Sequence, residues 1–226
     1  MTGGTGVQQS GGSIEQAAAA IEQAALELVR DDRGVRVEDY LAALAAATGE
    51  AALVDGLGFD IESTDLTPGA AVFGDAINGM LTGDVTSLDG VPSTSVVGVL
   101  RDRLVPTVVP ADAFEPLDHW YRLVASSVGS VAWGEVALTV PDEHRPGISP
   151  LRLAFGLRPV VESVAGSDRL IPCALALAAG IERTTEAIDV RIALTLSLEV
   201  VFGVAKTVPM SRRVFETTRD QPPAEQ

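Results

Sequence analysis

Residues 188–205 read IDVRIALTLSLEVVFGVA. Wound as a helix, this stretch has apolar side chains on nearly every side, so it is expected to lie buried at the centre of a helical globule. No membrane span is expected from it: its longest apolar stretch, 192–205, contains Glu199 and falls well short of the roughly 20 residues a span needs. A carboxylate inside such a helix must find a partner or take up a proton. Glu199 therefore has two readings. It forms an ion pair with an arginine such as Arg191, or it anchors a ligand in an apolar pocket beneath the helix.

Helical signals continue upstream. Residues 174–181 are helical by composition, and Ser149-Pro150 is a cap followed by proline at a first helical position. Pro159 is expected to kink or break the helix that follows, because it removes the bond back to Phe155. Residues 131–140, VAWGEVALTV, fit either a strand or a helix ending at Pro141. Glu115-Pro116 opens a helix with Leu117, Trp120, Tyr121, Val124 and Val128 on one face, and a short helix with Val96, Val97, Leu100 and Leu104 follows Ser93 or Ser95. Thr67-Pro68 predicts the start of a helix carrying Ala70, Phe73, Ile77, Met80 and Leu81. Val37, Tyr40, Leu41, Leu44 and Ala45 mark another, interrupted at Gly49 and closed by Gly56 and Gly58. Ser13 with Gln16 makes a capping box for the first helix, whose stripe is Ile14, Ala17, Ala18, Ile21, Ala25 and Leu28. Asp31 to Gly34 ends that helix.

The fold expected is mainly α: a single-domain, bundle-like globule of about seven to eight helices over residues 13–210, with a central buried C-terminal helix. Residues 1–12 are expected to be a disordered tail and 211–226 a flexible one, since neither offers a periodic apolar face. An internal duplication is a further reading, with halves 36–110 and 117–208. Tyr40 and Tyr121, the two Gly-Glu-x-Ala-Leu runs at 49–53 and 134–138, Pro68-Gly69 and Pro146-Gly147, and Phe73-Gly74 and Phe155-Gly156 would then correspond.

A chain of 226 residues can bury a core without disulfide or metal staples. Its formal charge of −15 repels phosphate backbones, and its basic residues are dispersed, so nucleic-acid binding is not expected. Cys173 is the one cysteine and sits in an apolar context, which predicts a buried, inert thiol. Lys206 is the one lysine. The N-terminus has neither the basic nor the apolar region of a secretory signal, which predicts a cytoplasmic protein.

No nucleotide-binding glycine motif, zinc-protease motif or nucleophile elbow is present, so no catalytic residue and no cofactor is expected. Both histidines lie beside carboxylates, in Asp118-His119 and in Asp142-Glu143-His144. Two imidazoles with such carboxylates could hold a divalent metal or work as acid and base. Their spacing argues against it. Residues 118 and 119 diverge by about 100° on a helix, Trp120 and Tyr121 claim the core side, and 142–145 lie in a proline-bounded loop where charges are solvated. Asp118, His119, Asp142, Glu143, His144 and Glu199 are the ligand candidates, and no metal is assigned.

Two functions remain open. A chain this rich in Ala and Val suggests more apolar surface than a monomer hides, which predicts a non-enzymatic structural or regulatory module acting through protein–protein association, as a homo-oligomer or with another protein. The alternative is a small-molecule binding protein or enzyme with an apolar pocket under the last long helix.

Overall fold

A computed structural model describes residues 9–58, 60–63, 65–83, 85, 87–128 and 135–212, without the side chains of residues 9–13. Eight α-helices pack together among the described residues: α1 Gln9–Val29, α2 Val37–Leu57, α3 Asp75–Thr82, α4 Val96–Leu104, α5 Leu117–Ser127, α6 Pro150–Ala165, α7 Leu170–Thr184 and α8 Val190–Ala205. Strand among them is limited to a two-residue hairpin between α1 and α2, β1 Arg30–Asp31 against β2 Gly34–Val35, and to single bridge residues, among them the antiparallel pair Ala71 and Thr207 and also Glu135. The mainly α expectation holds.

The centre is shared by two helices. α8 is buried along most of its length from Ala193 to Ala205, with Ile192 and Thr195 partly exposed at its edge, as its sequence predicted. α2 is buried even more completely, from Asp39 through Val54, and α1, α3, α6, α7 and α8 all pack on it. It is also long and apolar enough to cross a membrane by length and composition, but 83% of the qualifying window is buried inside the protein. A helix wrapped on all sides has no polar face, so it is a core element by construction.

Four local expectations are corrected. First, Gly49 does not interrupt α2. A Cβ there would lie 2.6 Å from the main-chain oxygen of Val201 and 3.0 Å from Cβ of Val204, so the glycine is where α2 and α8 approach backbone to backbone. The roughly 1 kcal/mol propensity cost of a helical glycine is outweighed by that approach. Second, α6 runs on through Pro159, which lies on its exposed side. Third, α1 begins at Gln9, so the Ser13 box does not open it and residues 9–12 are helical; residues 1–8 of the expected tail lie outside the described residues. Fourth, Thr67-Pro68 starts no helix. Pro68 and Gly69, the latter with φ 81°, form a turn, and residues 70–72 then run beside 206–208, with Gly69 N–H donating to Val208 O (2.9 Å), Val208 N–H to Ala70 O (2.8 Å) and Val72 N–H to Lys206 O (2.8 Å); α3 starts only at Asp75.

The C-terminal side also differs in part. Ser211 is buried, and the Arg212 N–H donates to Glu62 Oε2 at 2.9 Å, so the fold extends past 210; residues 213–226 lie outside the described residues. Of the ambiguous 131–140 stretch, 131–134 likewise lie outside, while 136–139 are neither helix nor strand and cross over α8. Several starts follow the sequence closely. Ser95 caps α4 by accepting from Gly98 N–H, Asp189 caps α8 by accepting from Arg191 and Ile192 N–H, and Pro150 fills the first position of α6. Gly58, with φ 63°, ends α2.

Candidate functional site

The predicted ligand candidates are not brought together. Asp118 pairs with Arg122 one turn on (3.1 Å), and Asp142 with Arg145 (3.2 Å), both at the surface. His119 stacks edge-on against Trp120 with centroids 4.8 Å apart. His144 lies elsewhere, its Nδ1 3.0 Å from Glu38 Oε1 at the start of α2. The carbonyl of Glu143 accepts from Arg36 (3.2 Å), while Asp39 accepts from the N–H groups of Gly147 (2.6 Å) and Ile148 (3.0 Å). Together these contacts strap the 141–149 loop across the N-terminus of α2. Among the described residues no group of three or more His, Cys, Asp or Glu is placed to hold a metal ion.

Glu199 is 1% exposed, yet it meets no arginine among the described residues. Arg191 sits eight residues away on the same helix and meets Asp112 instead, at 3.0 Å. The Glu199 carboxylate accepts from Thr139 N–H (3.0 and 2.9 Å) and from the Thr139 hydroxyl, and so holds the irregular crossing segment onto α8. Burial pushes its carboxyl above the ordinary range, and the bonds from Thr139 and Val140, with His119 nearby, oppose that shift only in part. The ion-pair expectation is therefore replaced by a main-chain clamp. Glu199→Gln keeps an acceptor and removes a charge that is unfavourable when buried, so urea melts at pH 7 should place it within about 1 kcal/mol of the wild type. Because the folded carboxyl titrates above the free one, the wild type should lose ground to the variant as pH rises through the ordinary carboxyl range. A loss of roughly 3 kcal/mol or more at pH 7 would mean that an ionised pair is being broken.

The buried charges outside the predicted set are also engaged with other parts of the chain. Arg158 of α6, 3% exposed, is gripped through two nitrogens by Glu50 of α2 (2.7 and 2.8 Å) and by Glu62 (3.2 Å). Burial opposes its charge, but the two carboxylates more than restore it. Tyr40 donates to Glu22 (2.9 Å), which also meets Arg183 (2.7 Å), tying α2 to α1 and α7. Asp55 accepts from the N–H groups of Arg169 and Leu170 (both 3.1 Å) at the start of α7. Lys206 is the exception. It is 3% exposed and has no carboxylate within ion-pair reach among the described residues. Its ammonium donates to Asn78 Oδ1 and lies 6.0 Å from the centre of the Tyr121 ring. Burial lowers its pKa to about 8, against a weaker opposing pull from Asp75.

An exposed apolar group stands at the C-terminal end of α2. Leu57 and Phe73 face solvent there, Phe73 at 57%. Leu57 comes within 3.9 Å of where a Gly74 side chain would begin, so it adjoins the Phe73-Gly74 step. Phe73 is held out rigidly: Val72 before it is bonded to Lys206 O, and Gly74 after it is the N-cap of α3. In the 69–72 segment the inward bonds come from Gly69, Ala70 and Val72, which leaves the N–H and carbonyl of Ala71 outward without a main-chain partner among the described residues. Residues 37–100 contain ten carboxylates and neither lysine nor arginine. Asp60, Asp65 and Asp75 are exposed. The helical pattern assigns Phe73 to a core face, and the structure corrects that.

Compared with known protein families, with curated proteins and with solved structures, the chain matches none.

Proposed function

We propose that this chain is a non-enzymatic helical module that works through protein–protein association, and that the end of α2 bearing Leu57 and Phe73 is its contact face. The observation that carries the reading is Phe73: the largest exposed apolar side chain among the described residues is fixed from both sides rather than left on a floppy tip. A rigid, exposed aromatic beside further apolar residues has the character of an interface anchor. The use made of the buried charges supports the same reading. Arg158, Glu50, Glu22, Asp39, Asp55 and Glu199 are all engaged in holding one element to another. A ligand pocket under α8 has less support, since Glu199, its natural anchor, is filled by Thr139.

Native mass spectrometry of the full-length protein purified gently from its own cells tests this. The wild type is expected in complexes heavier than its own 23.5 kDa, and Phe73→Ser is expected to run as the monomer. If both run as monomers and both retain a small molecule, the association reading is wrong.

A further inference from the structure

The crossing over α8 is held almost entirely by side chains. Among the described residues, no main-chain group of 137–140 is bonded to another main-chain group. Two features of α8 receive the segment instead. The Glu199 carboxylate accepts from the N–H of Thr139 (3.0 and 2.9 Å), from its hydroxyl and from the N–H of Val140. One turn on, Val136 presses into the notch left by Gly203, where a Cβ would lie 2.6 Å from Val136 Cγ1. The cover is thin. Residues 136–138 are half-buried and Thr139 is exposed, while the Glu199 that it covers is 1% exposed. Val140, itself buried, roots the segment in the core. A stretch with few main-chain bonds and little buried surface belongs to the least stable part of a fold. Lifting it returns a buried carboxylate to water and opens a hollow of about 360 Å³ that it shares with residues 145–150.

We propose that residues 136–139 are a strap that lifts from α8 while the rest of the fold stays closed, and that the charge on Glu199 sets how readily it lifts. With the strap down, the carboxyl is out of water, and burial raises its proton affinity above the ordinary value against the bonds from Thr139 and Val140. With the strap up, it is hydrated and titrates as an ordinary carboxyl. The closed form binds the proton more tightly, so acid holds the strap down, and release is favoured as pH rises through the ordinary carboxyl range and above it. The charges on neighbouring elements leave that sign unchanged. α2, α5, α6, α7 and the turn at 111–114 pack on α8. His119 of α5 pulls toward the ionised form, but by less than burial opposes it. On α2, Glu38, Asp39, Glu50 and Asp55 are engaged by His144, the main chain at 147–148, Arg158 of α6 and the start of α7. Arg183 of α7 meets Glu22, Asp112 meets Arg191, and Lys206 points to Asn78. On the strap's own side, Glu135 is exposed and Arg145 reaches the Leu138 carbonyl at 3.5 Å.

Amide hydrogen exchange of the full-length chain, read by NMR from about pH 5 to about pH 7.5, tests this. The Thr139 and Val140 amides report the strap, because both donate to Glu199. In the wild type they should exchange at least roughly tenfold faster than those of Val200 and Val201 in the buried part of α8, and should respond little to low urea, as a local opening does. With intrinsic exchange divided out, their opening should increase with pH. The increase should persist in His119→Gln and be lost in Glu199→Gln. Thr139→Val gives up the hydroxyl bond and keeps the N–H and the carboxylate, so it should lift more readily with the pH response intact. It carries the test if Glu199→Gln does not fold. Strap amides that exchange only together with Val200 and Val201, with the same urea response, overturn the separate strap. A pH response that survives in Glu199→Gln overturns the part given to its charge, and a Thr139→Val strap no looser than the wild type overturns the clamp.

Discussion

Replacing Glu50 with alanine is expected to lower the unfolding free energy by about 3–5 kcal/mol, the usual cost of removing one partner from a buried ion pair. The reason lies with what remains. Arg158 stays in place between α2 and α6, almost wholly out of water, and keeps one carboxylate at 3.2 Å, Glu62, whose own side chain is partly in solvent, besides the Phe155 ring 5.3 Å away. Most of the penalty is thus the stranded guanidinium and little of it is the lost attraction. Exchanging both residues for apolar ones of similar volume, Glu50→Leu with Arg158→Met, should recover most of the loss, because the pair itself was costly to desolvate. Urea melts of the single and double variants check this, and a single-variant loss below about 1 kcal/mol would mean that Glu62 alone satisfies Arg158.

Lys206→Met should act in the opposite direction, raising stability at pH 7 by about 2–3 kcal/mol. Burial holds the folded amine near pH 8, below its ordinary value of 10.5. At neutral pH the folded chain therefore carries a buried ammonium that the unfolded chain carries in water. Each tenfold loss of proton affinity on folding is worth about 1.4 kcal/mol. Between about pH 8 and 10.5 the unfolded chain holds a proton that the folded one has released, so the wild type gains stability as pH rises. Methionine has a similar shape and no charge, so its advantage should shrink across that window and be nearly gone above it. Paired melts at about pH 7 and pH 10.5 read this directly. A variant less stable than the wild type at neutral pH would show that Asn78 and the Tyr121 ring fully compensate the ammonium.

Helices with local start and stop signals were legible from the chain alone. Ser95, Pro150, Asp189 and Gly58 sit where local capping rules place them. Errors gathered where a distant segment decides. Thr67-Pro68 suits a helix start or a turn equally, and the turn prevails because 206–208, far along the chain, supply backbone partners. Gly49 reads as a break until the backbone of α8 is seen against it. The apolar run around Glu199 was enough to mark it as a buried carboxylate, but its partner is the main chain of Thr139, sixty residues earlier, which no spacing rule exposes. His119 and His144 share carboxylate neighbours in sequence and nothing in space: one stacks on Trp120 and the other straps a loop to Glu38. Lys206 stands out as the one lysine, at the end of an apolar run, and that position was the available hint of its burial.

The encirclement of α2 has a bearing on how the chain reaches its fold at all. Translation finishes α2 at residue 57, yet α8, one of its main covering helices, begins only at residue 190. At about 5–20 residues per second, a helix dominated by alanine and leucine waits roughly 7–30 s for its last neighbour. Throughout that interval it offers chaperones and membrane-insertion machinery a segment that meets the length and composition of a span. The yield of folded protein in a living cell should consequently depend less on the strength of any one contact than on how well that nascent helix is sheltered until residues 190–205 emerge.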